Sequence, residues 1–282
     1  MSWESSMRKW YKYVISTKSD EARSALDTTP QEHQESMGGY GTDSGYKNRE
    51  DFFDTYLYKR PNHQYEYYHE YLARKLRKEE TVLSVASGRC INELRLIEDG
   101  YNIICSDLEH YTKEAAKRIF PKLQFYEYDV MKGPFEFKVD CVISLGLLYL
   151  FDESEMETLF RNIAMSLKPN GRFILDPGGA EDNGLTYCID ELFCRYEQYL
   201  RLYTKQKVDK GSITKKHHGY RNRKEEIQRV AEKTGFKILD YSEFGINLEC
   251  GRSWTLRKLP RSFREYLGKR VPYVRFFELQ KV

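Results

Sequence analysis

Ser87-Gly88, Asp107, Asp129 and Ser144-Leu145-Gly146 each close a short apolar run. These residue types suit a nucleoside. A backbone without a side chain at Gly88 lets a ligand's tail approach a helix N-terminus. A carboxylate at Asp107, 19 residues after Gly88, can accept two hydrogen bonds from a ribose diol. Asp129 can accept from the exocyclic amine of an adenine, and Ser144 and Leu145 would lie beneath the ligand. The neighbours Ser84, Ala86, Leu108 and Val130 complete the candidate set. Each residue also has a plainer reading, Gly88 as a tight turn and the aspartates as helix or turn caps.

The runs that must position these residues alternate with helical stretches. Thr81 to Ala86 is followed by a helix over 92–99, and Tyr101 to Ser106 by a helix over about 110–120. Leu123 to Tyr128 forms a third run and Val139 to Leu145 a fourth, with a helix from Asp152 to Leu167 after it. Asp152 begins that helix with negative charge, as the helix dipole favours. A turn at Lys168-Pro169-Asn170-Gly171 leads to a fifth strand at Arg172 to Leu175. The order resumes with a helix over 223–234, a strand at Gly235 to Tyr241 and a final strand at Val274 to Leu279. Short buried strands alternating with helices mean a parallel, doubly wound α/β sheet, whose ligands sit outside the carboxyl ends of the strands. Residues 1–78 read as an N-terminal extension, polar and aromatic, with an amphipathic helix from Asn62 to Lys78. Residues 79–282 read as the sheet domain, with an inserted helical segment at about 180–220.

Over about Glu80 to Asp176 the sequence resembles the class I S-adenosylmethionine-dependent methyltransferases, and more loosely so from Tyr220 onward. The resemblance rests on Asp107, Tyr128-Asp129-Val130, Val139-Asp140-Cys141-Val142-Ile143 and Leu167-Lys168-Pro169-Asn170-Gly171-Arg172. It departs at the family's first motif, an acid, an apolar residue and then Gly-x-Gly-x-Gly. Here Ser84-Val85-Ala86-Ser87-Gly88-Arg89-Cys90 keeps one glycine of the three and has Ser84 in place of the acid. The resemblance implies a mostly parallel seven-stranded sheet and S-adenosylmethionine as cofactor. It also implies in-line displacement at the sulfonium methyl, in which the protein chiefly aligns the reactants. A nicotinamide-dinucleotide reading needs GxGxxG after the first strand, and Ala86 to Ile91 does not supply it.

The resemblance places the acceptor side in the N-terminal extension and after the fifth strand. Tyrosines crowd the stretch from Tyr40 to Tyr71, where a flat apolar face with a hydroxyl suits sugar or aromatic ligands. Tyr40 and Tyr46 lie in a glycine-rich loop that reads either as a lid over the cofactor or as an idle surface loop. His217 and His218 stand before the helix over 223–234, where one could act as base; exposed histidines of a basic loop are the alternative. From Arg201 to Lys224 the sole acid is Asp209, and from Arg252 to Arg275 it is Glu265. Such segments could grip an acidic small substrate, RNA phosphates or an anionic membrane surface, or be an ordinary solvated face. The expected acceptor is a hydroxyl or acidic oxygen of a small molecule or glycan. The alternatives are an RNA methyltransferase and a methyltransferase-like binding protein without catalysis.

Bulk properties set the remaining bounds. A chain of 282 residues with 40% hydrophobic residues can bury a proper core. A net charge of +3 is too mild to announce nucleic-acid binding, so that partner is not favoured. Mean hydropathy is -0.73 and no stretch approaches the roughly 20 apolar residues of a spanning helix. The expected address is the cytoplasm. The six cysteines form no CxxC pair, so reduced structural thiols are expected and no metal site.

Overall fold

The computed structural model describes residues 8–15, 64–88, 90–108, 117, 120–179, 184–205, 213–244 and 255–282. Tyr40, Tyr46 and most of the helix expected over 110–120 lie outside them. Strand β1 (Lys9–Ile15) is followed by helix α1 (Gln64–Lys75), strand β2 (Thr81–Val85), helix α2 (Ile91–Glu98), β3 (Asn102–Asp107), β4 (Phe125–Glu127) and β5 (Val139–Leu145). After a short 3-10 turn at Leu148–Leu150 come α3 (Glu153–Ser166), β6 (Leu167–Asp176) and α4 (Gly184–Cys188). A π-helical turn at Ile189–Arg195 joins α4 to α5 (Tyr196–Lys205). Then follow β7 (Ile213–Tyr220), α6 (Lys224–Lys233), β8 (Phe236–Phe244), α7 (Arg261–Arg270) and β9 (Val274–Lys281).

Seven strands form one sheet in the order β4-β3-β2-β5-β6-β9-β8. Pairing is parallel from β4 to β6, and β9 runs antiparallel between β6 and β8. The sequence puts β2 and β5 at the centre because both faces of these strands are apolar. Leu83 and Val85 point to one side, Val82 to the other, and all are buried. One face packs on α1, α2 and the residues around α7 through Leu72, Leu94 and Phe276. The other packs on α3 and α6 through Leu159, Phe160 and Ile227. Helix α3 starts where the sequence expects it. Asp152 accepts from the Ser154 and Glu155 N–H groups, and Glu155 accepts from the Asp152 N–H, a reciprocal cap that contributes about 1 kcal/mol.

Three local expectations are corrected. Leu167, placed at the end of the helix, opens β6 instead: it is fully buried and pairs with Val139. Lys168 to Gly171 bulge outward before pairing resumes at Arg172, with Asn170 in the left-handed region. The N-terminal extension contributes a strand as well as its expected helix. Lys-Trp-Tyr-Lys-Tyr-Val-Ile at 9–15 is aromatic and β-branched, and it pairs antiparallel with β7 as a separate two-stranded ribbon. Helix α7, which the sequence reading did not separate from its basic surroundings, begins directly after Pro260. Cys90, Cys105 and Cys141 are free of disulfides and buried in the sheet domain. No helix among the described residues is long and apolar enough to cross a membrane.

Candidate cofactor and acceptor site

The candidate cofactor residues gather along the carboxyl edge of the parallel strands. After β2 the chain turns through three left-handed residues in five, Ala86 (φ 57°), Gly88 (φ 51°) and Cys90 (φ 56°). A left-handed alanine is strained, so the surrounding bonds must hold the loop. They do. The Gly88 N–H donates to Asp107 Oδ2 at 2.9 Å, and the Ser87 N–H to the Ser106 carbonyl at 2.8 Å. The Ser87 hydroxyl donates to the Ser84 carbonyl and accepts from the Ser106 N–H, and the Ser106 hydroxyl donates to the same Ser84 carbonyl at 2.7 Å. The loop after β2 and the end of β3 are thereby one unit.

The next strand end is tied in as well. The Tyr128 N–H donates to the Asp107 carbonyl, which sets Asp129 beside Asp107 along the edge. Asp129 also does the plainer job, since its Oδ1 accepts from the Met131 N–H and caps its own turn. Val130 is buried, held from behind by the Asn162 amide on its carbonyl, whereas Leu108 is 39% exposed just beyond Asp107. On the other side of β2, Ser144 pairs with Val85 and Leu145 with Asp176. Ser144 is buried and its hydroxyl has no hydrogen-bond partner. Ser84 lies under the loop with its hydroxyl on Glu93 at 2.6 Å.

The ribbon of β1 and β7 covers this edge near the turn after β5. Asn222, just past β7, donates to the Leu148 carbonyl, and Trp10 meets Tyr149 edge-on at 5.5 Å. Gly219 is obligatory there, because a Cβ would collide with the Tyr149 carbonyl and ring. His217 and His218 are not residues of a loop. Both lie in β7 and are buried, at 5% and 7% exposure. As neighbours on a strand they face opposite sides of the ribbon. His217 contacts Tyr11 and Tyr220, with Nε2 at 2.9 Å from the Gly219 carbonyl. His218 packs on Trp10 at 5.0 Å and Tyr149 at 5.8 Å, the side of the strand ends.

A cluster the sequence reading passed over sits where β6 ends. Asp176 is fully buried and burial pushes its carboxyl up to about 6. Its Oδ2 accepts from the Tyr68 hydroxyl, and its Oδ1 from the Arg275 N–H. Burial, then Asp176 itself, raises the Tyr68 phenol well above its ordinary value. The Arg275 side chain, also fully buried, donates to the Asn222 and Gly179 carbonyls and so ties β9 to the ribbon. Asp176 was legible as one more acid ending a strand, the signal already used for Asp107.

Residues 82–171 match a family model described as a methyltransferase domain. That stretch is a methyltransferase-like domain. Solved structures agree on the architecture. A methyltransferase from Methanosarcina mazei superposes with a TM-score of 0.53 at 14% identity, covering 75% of this chain and 97% of that one. Magnesium protoporphyrin IX methyltransferase from Synechocystis, with bound S-adenosylhomocysteine, gives 0.51 at 15%, covering 78% and 83%. A methyltransferase-like structure from Listeria monocytogenes gives 0.51 at 18%, covering 78% and 98%. Likeness at these identities establishes the fold. A search of curated proteins finds no match to the chain.

Proposed function

We propose that this protein methylates a hydroxyl or acidic oxygen of a small molecule or glycan, with the donor seated along the edge from Asp129 to Leu145. The observation that carries the reading is the Gly88–Asp107 hydrogen bond, which locks the glycine loop and the carboxylate into one receptor at adjacent strand ends. The donor set fits. Carboxylates at Asp107 and Asp129 suit a ligand that presents hydroxyls and an exocyclic amine, and the left-handed loop brings bare backbone to its tail. When bound, S-adenosylmethionine supplies an electrophilic methyl on a positive sulfur that departs as a neutral thioether.

The chain's own residues have three tasks. Asp107 and Asp129 orient the nucleoside, with Ser84, Ala86, Ser87, Leu108, Val130, Ser144 and Leu145 shaping the floor and sides. Trp10 and Tyr149 keep water from the turn after β5. His218, on that side of the ribbon, is the group to take the proton from an acceptor hydroxyl; His217, turned the other way, braces the strand. An acidic oxygen would need no base.

Calorimetry with S-adenosylmethionine, followed by transfer of labelled methyl to hydroxylated and carboxylated acceptors, tests the reading. Saturable binding with label in an oxygen-linked methyl is expected. Label in RNA would move the acceptor to nucleic acid, and binding without transfer to any acceptor would leave a non-catalytic receptor. Absence of binding would remove the cofactor site altogether.

A further inference from the structure

The sequence lacks an acid where β2 ends, and the structure supplies one from elsewhere. Glu93, in the first turn of α2, reaches back to the strand so that the Ser84 hydroxyl donates to its Oε1 at 2.6 Å. Both residues are buried, at 1% and 2% exposure. The second oxygen, Oε2, is buried with no hydrogen-bond partner. A carboxylate left half-satisfied in a dry interior is costly, and natural proteins keep such groups where a ligand or a proton balances them. The place is directly under the left-handed loop, since the Ser84 carbonyl receives the hydroxyls of Ser87 and Ser106.

Among the described residues, Asp107 is the charged group that acts on Glu93, while the Glu93 and Asn92 N–H groups favour its charged form. Ser84 faces it from β2, Asp107 and Cys105 act from β3, Cys90 from the loop and Asn92 from its own helix. None of these is cationic. Building on the cofactor reading above, we propose that Glu93 is a positioning residue for the positive end of the donor and that it gives up a proton to solvent as the donor arrives. The physical reason is symmetrical. Burial and the Asp107 charge push its carboxyl up to about 7, so near neutral pH it is part protonated. A cation brought to the loop favours the charged form, and the carboxylate so formed attracts the cation in return. No direct contact is required, because the interaction acts through a poorly screened interior.

The test is a count of protons. Calorimetry of S-adenosylmethionine binding at pH 7 in two buffers of different ionisation enthalpy should report release of up to about half a proton per ligand bound by the native protein. Its dissociation constant should tighten by about tenfold between pH 5.5 and 8.5. In Glu93→Gln the Glu93 share of the release should vanish, leaving only the part due to the ligand, and the pH dependence should weaken accordingly, with the affinity near the native value at low pH. The ligand's own amino group titrates at about 7.7–8.0 and contributes equally to both proteins. Saturable binding by the native protein without proton release overturns the proposal, whether or not the variant folds. Equal release by native and variant proteins also overturns it, by assigning the proton to another group. No binding by the native protein would instead defeat the cofactor reading on which it rests.

Discussion

At the scale of single residues, the site depends on carboxylates held at different degrees of burial. Asp107 is half-buried and accepts from the Gly88 N–H, so removing it loses the clamp on a strained loop and, on the proposed reading, a ligand partner. Asp107→Ala should weaken S-adenosylmethionine binding by about 1.5–3 kcal/mol, the scale of hydrogen bonds to a charged group. Unchanged affinity by calorimetry would show that the donor sits elsewhere. Asp176 behaves differently. An acid whose folded pKa lies above its unfolded value binds more protons folded than unfolded over the interval between them, so stability falls as pH rises through that interval. For Asp176 the window runs from about 4 up to about 6. Asp140, Glu153 and Asp240 are held below their ordinary values by Lys168, Arg229 and Lys75, and their contribution is lost as pH falls below about 4. Asp176→Asn, whose oxygen can still accept from the Arg275 N–H while its amide N–H donates to the Tyr68 hydroxyl oxygen, should therefore raise stability by about 1–3 kcal/mol at pH 7.5 and by little at pH 4. Denaturant melts at the two pH values measure the difference, and an equal gain at both would refute the assignment.

At the scale of elements, the ribbon of β1 and β7 is where position matters more than composition. Gly219 brings β7 against the Tyr149 backbone, with Trp10 and His218 packed beside it. Gly219→Val should cost about 1–3 kcal/mol through overpacking and lift the ribbon from the turn after β5. On the proposed reading the ribbon lies on the acceptor side, so methyl transfer should fall far more than donor affinity. Loss of donor binding in step with transfer would mean that the ribbon belongs to the cofactor pocket. This element was the least legible in the sequence. The runs at 81–86 and 139–145 announced central strands because both faces are apolar, and Asp107 and Asp129 stood out because each ends such a run. The strand at 9–15 has no second run nearby, and its partner lies some two hundred residues on, at 213–220. Local pattern does not carry pairing over that separation. The two histidines looked like loop residues for the same reason, and Asp176 was passed over because the alternation of strands and helices stops just after it.

At the scale of the whole molecule, the proposed site and the largest charged network lie at opposite ends of one sheet. The carboxyl edge holds the loop after β2, Asp107 and the ribbon. Toward the amino ends of β2 and β6, a charged network crosses the sheet. Arg172 on β6 donates to Glu80 at 2.7 Å and to Glu278 at 2.6 Å, and Lys75 joins Glu278 at 2.9 Å to Asp240 at 2.8 Å. Glu80 and Glu278 are 7% and 6% exposed, so their charges have little water to fall back on. The network ties α1, the approach to β2, and strands β6, β8 and β9, which are distant in sequence. Removing one partner from a buried pair leaves the other charges uncompensated, which costs about 3–5 kcal/mol, whereas the intact pair contributes far less than that figure. Arg172→Met should therefore destabilise the protein by about 3 kcal/mol, with Arg77 and Lys75 offsetting part of the loss. Donor affinity at a temperature where the variant is still folded should change by less than about twofold, because sites that share no partners respond independently. A large loss of affinity with a small loss of stability would reverse the division of labour, and would mean that the amino-end network sets the spacing of the strand ends as well as holding the sheet together.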